Sequence, residues 1–318
     1  VNVRIGSALL WLKIVNFLEF LRLKFKTSTG RNIIKIHDYI IKIYNDTAVC
    51  AYEHGVLSNI ALSKPITFKV PKIFKLLKAQ NYAALIMEYI VGLRLDNYIV
   101  NFLLYGNSDA VKIFYQLGKA VRELHNMNLS GLRNSSLPSS CSELKHEIAE
   151  LSKGLVAWKV IDHRLFNIIL KYLEKVDLTD EIFLSVSLHG ELYFTHILVQ
   201  DGKIVLIDFH NAQRGPSYFD LAMLSISLYV SLTFAFCTLK RFTFLIEAFL
   251  AGYYGKTLNR TIIRSLKLAE LYLALREILA CAKTLYSENS PVIRFIAILK
   301  IRRLKKAINE VIIPKLIA

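Results

Sequence analysis

A short β-patterned island inside an otherwise helical stretch is the feature that most constrains this chain. Residues Leu184–Val199 and Lys203–Phe209 carry dense runs of Val, Ile, Leu and Phe broken by turn residues, and predict strand, loop, strand and strand. Upstream the spacing is helical, around Leu95–Leu104 and again over Asp109–His125, where Val111, Phe114, Leu117 and Val121 share one face. Other β patterns lie early in the chain. Asn32–Asn45 predicts a hairpin of two Ile- and Tyr-rich strands broken at His37-Asp38, and Leu85–Ile90 predicts a further strand bounded by Gly92. Strands early and helices late describe an α+β fold with a small β-rich part, residues 1–90, and a large mainly helical part, residues 91–318.

The helical part has its own punctuation. Ser130–Ser142 is polar, Ser-rich and Pro-containing, and opens a helical block that reaches Lys175. Ser290-Pro291 is a start signal for a last helix, whose apolar stripe runs through Ile301, Leu304, Ile308 and Ile312. Val3–Leu21 is expected to form a helix packed on or before the first lobe, and no internal repeat is present.

Composition narrows the setting. Hydrophobic residues make up 54% of the chain, so membrane spans must be weighed first, and Leu221–Leu239 is an uncharged run of nearly bilayer length. Its Ser and Thr content and the adjoining Asp220 favour a helix buried in a large lobe, with no stable membrane span. Cys50, Cys141, Cys237 and Cys281 are scattered and read as reduced core residues, which suits a cytoplasmic protein. The formal charge is +16, and from Lys256 onward 13 Lys and Arg face 4 Glu. That excess suggests a possible acidic partner at the C-terminal helices, against the alternative of a solvated helix face.

The island also carries chemistry. Transfer of a phosphoryl group needs a carboxylate near the acceptor hydroxyl and metal ligands beneath the phosphates, supplied from neighbouring loops. Glu191 and His196, within HGELYFTHILV at His189–Val199, and Asp208 after the strand KIVLI can fill those places. The string resembles the catalytic loop of the aminoglycoside phosphotransferase and choline kinase family, followed by that family's metal-binding segment, here Ile207-Asp208-Phe209, and by Gly215-Pro216 leading to Asp220-Leu221-Ala222. Leu85-Ile86-Met87-Glu88-Tyr89 and Gly92 resemble the family's hinge, and Glu123-Leu124-His125 the end of its long helix. The likeness runs from about Asn32 to about Ala222.

The resemblance implies a two-lobed protein kinase-like fold that binds ATP with Mg²⁺ or Mn²⁺ between its lobes. It implies that Lys42 contacts the α and β phosphates with Glu53 as its ion-pair partner, and that Glu88 and Tyr89 belong to the nucleotide site. It places Glu191 at the catalytic base, Asp208 and His196 at the metal, Asp220 in a structural role beneath the loop, and Thr27–Gly30 at the phosphate-covering turn. His189 and His210 read as buried or packing residues. Two positions depart from the family: the usual Asp is Glu191, which moves the carboxylate by roughly 1 to 1.5 Å, and the usual Asn is His196, whose nitrogen suits Mn²⁺ or Zn²⁺ better than Mg²⁺.

A helical insertion over about residues 126–186 is where the family builds its acceptor site, and Trp158 within it is a candidate lining residue. The expectation is transfer of the γ-phosphoryl group of ATP to a hydroxyl of a small molecule. A nucleotide-binding pseudokinase with a regulatory role, a protein Ser/Thr kinase, and a protein acting at nucleic acid or a membrane surface through its basic C-terminal helices are the alternatives.

Overall fold

The computed structural model describes residues 31–176, 179–231, 239–255 and 258–317. The helix expected at Val3–Leu21, the turn Thr27–Gly30 and Cys237 lie outside the described residues, as does most of the end of the Leu221–Leu239 run. The chain divides into two compact units, one of residues up to His54 with Lys72–Tyr89, the other of Gly55–Pro71 with Ile90 onward. The division at Tyr89 lies where the sequence changes period. The excursion of Gly55–Pro71 has a local cause: the short strand Phe68–Lys69 pairs in parallel with Ile204-Val205 of the second unit.

In the first unit the expected hairpin is β1 (Arg31–Ile36) and β2 (Tyr39–Tyr44), antiparallel, with His37 at the turn in the left-handed region at φ 51°. Alternation along β2 sends Ile41 and Ile43 to a core that also holds Leu77 and Ala84, while Lys42 and Tyr44 take the other face. Next comes α1 (Thr47–Leu62), which begins where Asp46 Oδ1 accepts the Ala48 N–H at 2.7 Å and caps its first turn. After β3 (Phe68–Lys69) follow β4 (Ile73–Lys78) and β5 (Ala83–Glu88), completing an antiparallel sheet of order β1-β2-β5-β4.

In the second unit β6 (Leu93–Arg94) leads into α2 (Leu95–Tyr105) and α3 (Asp109–Asn126). After β7 (Arg133–Asn134), the insertion holds α4 (Cys141–Ala157) and α5 (His163–Lys175), the latter capped where Asp162 Oδ1 accepts the Leu165 N–H. The island supplies β8 (Ser185–Leu188), β9 (Ile197–Gln200), β10 (Lys203–Leu206) and β11 (Gln213–Pro216). They form two small sheets of order β3-β10-β9-β6 and β7-β11-β8.

Beyond them run α6 (Tyr218–Val230), α7 (Arg241–Tyr254), α8 (Arg260–Ser287) and α9 (Pro291–Ala307), the last capped by Ser290 with Pro291 in its first turn as expected. Helices α3 and α7 touch backbone to backbone at glycines: a Cβ on Gly118 would lie 2.0 Å from Phe249 O, and one on Gly252 2.0 Å from Tyr115 O. Helix α6 is buried nearly all round, and no described helix is long and apolar enough to cross a membrane.

Candidate active site

Asp220 anchors the site from below. It is fully buried in the first turn of α6, where its Oδ2 accepts the His189 N–H at 2.6 Å and its Oδ1 accepts the Gly190 N–H at 3.0 Å. His125 Nε2, at the end of α3, stands 3.2 Å from the same carboxylate, and its Nδ1 pairs with the Tyr253 hydroxyl at 2.8 Å. One carboxylate thus joins α3, α6 and the loop after β8. Gly190 is required at the bend: its φ is +83°, and a Cβ there would lie 1.9 Å from Asn211 O.

His189 is a second support. Its Nε2–H donates to Ile207 O at 3.0 Å, which leaves Nδ1 to accept the Glu191 N–H at 3.3 Å. Burial pushes its pKa down to about 4, against the pull of Asp220, so the ring is neutral and works as a brace. This matches a buried structural histidine.

Above the braces sit the three residues expected to work. Glu191, His196 and Asp208 each offer a ligand atom within 4.8 Å of the others. His196 Nδ1–H donates to the Glu191 backbone carbonyl at 3.0 Å, which turns its Nε2 lone pair toward Asp208 Oδ2, 3.7 Å away. Fixing one ring nitrogen on a carbonyl while the other meets a cation is the usual way a metal-binding imidazole is oriented. Asp208 follows β10 at φ +70°, a left-handed conformation costly for a non-glycine residue by about 1 kcal/mol or more and common at working sites. One imidazole and two carboxylates fit a divalent cation, with the nitrogen favouring Mn²⁺ or Zn²⁺ over Mg²⁺.

Sequence reading treated His210 as packing, and the structure gives it more. Its Nδ1–H donates to Asp208 Oδ1 at 2.6 Å and its Nε2 lies 3.6 Å from Glu191 Oε2, so a buried ring links the two carboxylates. Asn211 was also missed: its Nδ2 donates to Glu191 Oε1 at 2.6 Å and fixes the longer carboxylate. The backbone reversal at Asp208 brings both back over the loop, and the only sequence signal was two polar residues just after a strand-ending Asp.

In the first unit, Lys42 Nζ meets Glu53 at 2.8 Å and 3.0 Å, and the Tyr44 hydroxyl donates to the same carboxylate. Burial, then the Glu53 charge, push the neighbouring Cys50 thiol up to about 12, which marks how dry this corner is. Glu88 ends β5, its carboxylate accepting the Lys72 N–H at 3.2 Å, and Tyr89 follows with the Lys35 ammonium 3.6 Å from its ring centre.

A cavity of about 710 Å³ adjoins the loop after β8 in the second unit, lined by Tyr193–Thr195, by α6 and α8, and by Lys300 of α9. Its charged groups are Arg276, Glu277 and Lys300, the last two 3.8 Å apart, among apolar residues such as Phe219, Met223 and Leu273. Among the described residues none of its lining comes from the insertion at 126–186, and Trp158, 5.5 Å from Tyr286 between ring centres, lines a separate hollow of about 460 Å³ with Ala157 and Lys159. Burial, then the Glu191 charge, push the Tyr193 phenol up to about 12, so it stays a hydrogen-bond donor at the cavity's edge.

The sequence matches a family described as "Phosphotransferase enzyme family" over residues 18–257. No curated protein matches it. Among solved structures it is similar to aminoglycoside 2'-phosphotransferase-IIIa in its GDP complex, with TM-score 0.61, 14% identity, and 89% of this chain and 91% of that chain covered. It is similar to a choline/ethanolamine kinase family protein from Mesorhizobium loti, with TM-score 0.59, 14% identity, and 90% and 88% covered. An amicoumacin kinase complex with AMP-PNP and Ca²⁺ gives TM-score 0.55 at 12% identity, with 88% and 89% covered. These likenesses establish a protein kinase-like fold, with its β-sheet region first and its helical region after.

Proposed function

The chain belongs to the phosphotransferase enzyme family, and from that premise we propose that it transfers the γ-phosphoryl group of ATP to a hydroxyl of a small molecule. The observation that carries the reading is the cluster of Glu191, His196 and Asp208, whose ligand atoms lie within 4.8 Å of one another on a loop pinned by Asp220. Asp208 and His196 Nε2 would hold a divalent cation, which when bound neutralises phosphate charge as the bond to the leaving oxygen breaks. Lys42, held by Glu53, is assigned to the α and β phosphates, with Glu88 and Tyr89 at the nucleotide.

Glu191 accepts the proton of the acceptor hydroxyl as that oxygen bonds to phosphorus, and ADP leaves. The Asn211 amide and His210 hold the carboxylate in place, which offsets the freedom of its extra methylene. The cavity beside the loop is a suitable size for a small acceptor. With two cations against one carboxylate in its lining, it is ill suited to a polycationic drug and better suited to a neutral or anionic alcohol with an apolar body.

Turnover of labelled ATP with sugars, amino alcohols, anionic alcohols and proteins, in Mg²⁺ and in Mn²⁺, tests this. Phosphorylated small molecule with Mn²⁺ at least as effective as Mg²⁺ is the expected result. Nucleotide binding without any transfer would replace the reading with a regulatory pseudokinase, and transfer to protein alone with a Ser/Thr kinase.

A further inference from the structure

Helix α9 carries a feature that phosphoryl transfer does not use. It holds six Lys and Arg and no Asp or Glu. Its first two turns expose Val292 at 65%, Phe295 at 59%, Ile293 and Ile296, and Ile298 is exposed further on. The buried stripe starts only at Ala297 and continues through Ile301 and Leu304. The start of the helix therefore stands clear of the fold with large apolar side chains in water, which soluble surfaces avoid in contiguous form. Arg294 lies among them, and Arg302 and Lys306 are exposed along the same helix. Just before it in the chain, Tyr286 is 74% exposed and packs edge-on against Trp158, itself 40% exposed.

We propose that this face, the first half of α9 with the Trp158–Tyr286 pair, docks the protein on an anionic membrane surface. Charge complementarity selects that occupant. A second copy of a chain of charge +16 would bring two acid-free basic helices together, at a repulsive cost. A nucleic acid would engage the cations and leave Phe295 and its neighbours in water. An anionic bilayer takes both: cations meet the headgroups, aliphatic and Phe side chains enter the acyl boundary, and Trp and Tyr settle at the interface. The sequence pattern of Lys and Arg among Ile and Leu reads as a solvated polar face over a core stripe. The structure differs because the apolar residues before Ala297 do not reach the core. This inference does not depend on the transferase reading, since none of the residues it uses is in the catalytic cluster.

Sedimentation of the full chain with phosphatidylcholine vesicles, and with vesicles also containing phosphatidylglycerol, tests it. Binding to the anionic vesicles alone, weakening as salt is raised, is expected. Phe295→Ser should weaken it on the order of tenfold or more, and Arg294→Glu by roughly thirtyfold. Both positions are exposed, so melting temperature and ATP turnover should not move. No vesicle binding, equal binding to neutral vesicles, or unchanged binding in both variants would overturn the proposal. So would light scattering that shows a native dimer made monomeric by Phe295→Ser.

Discussion

Lys42 and Glu53 meet at 2.8 Å with side chains 5% and 1% exposed, whereas His196 and Asp208 stand 3.7 Å apart with side chains 19% and 22% exposed. The first pair is dry, doubly hydrogen-bonded and joined by Tyr44, so its charges are balanced inside the protein. The second is part-exposed, and its nearest atoms lie beyond hydrogen-bond reach of each other, which is compatible with a cation held by both. The buried pair is internally balanced, and on the proposed reading the part-exposed pair takes a cation. Substitutions in the first group should lower stability as well as activity, and those in the second activity with little change in stability.

The largest effect should come from Glu53→Ala. It removes the carboxylate that faces a buried ammonium, and breaking a buried pair from one side costs about 3 to 5 kcal/mol, read as a lower urea midpoint. A loss under about 1 kcal/mol would mean that water reaches the pair and the contrast is false.

Acid should act on the buried layer next. The folded pKa of His189 is about 4 against an ordinary 6.5, so between those values the unfolded chain binds a proton that the folded chain does not. Its contribution is fully present above about pH 6.5 and lost as pH falls toward about 4, a change of about 3 kcal/mol at most. Urea unfolding at pH 7 and pH 4.5 should show it, with a flatter dependence in His189→Gln. An unchanged slope in that variant removes His189 from the account.

Glu191→Asp belongs to the open group. Withdrawing the carboxylate by about 1 Å from a hydroxyl should slow turnover on the order of a hundredfold, with little change in melting temperature. Faster turnover would mean that Asn211 and His210 do not position the longer side chain. The smallest effect should be that of His196→Asn, a shift in preference from Mn²⁺ toward Mg²⁺, because an amide oxygen is the harder ligand. Equal preference in the two proteins would take His196 out of the metal site.

Much of this was visible in the sequence, for identifiable reasons. The hairpin at 31–44 alternates cleanly, α3 has a helical apolar face, and α9 begins at a Ser-Pro signal. Strand β4 was missed because IFKLLK does not alternate, and a register shift between Ile73 and Lys75 explains why. The two-residue strands β3, β6 and β7 are too short to carry a period. Residue order singles out Glu191, His196 and Asp208, which the fold brings within 4.8 Å of one another, whereas the placement of His210 and Asn211 depends on a left-handed residue at Asp208 that no local pattern announces. The cavity beside the loop is built from helices far apart in sequence, so its charges could be assigned only once those helices were packed.

On the proposed reading the cluster of Glu191, His196 and Asp208 holds the metal on which nucleotide binding depends. The most direct test is the melting temperature of the native chain and of Asp208→Asn, each with ATP and Mn²⁺ together and with either alone. A ligand bound only by the folded state raises the melting temperature. The native chain should show a rise with ATP and Mn²⁺ together that exceeds the sum of the separate shifts, and Asp208→Asn should lose that excess while melting normally without ligand. The same excess in both proteins would contradict the claim.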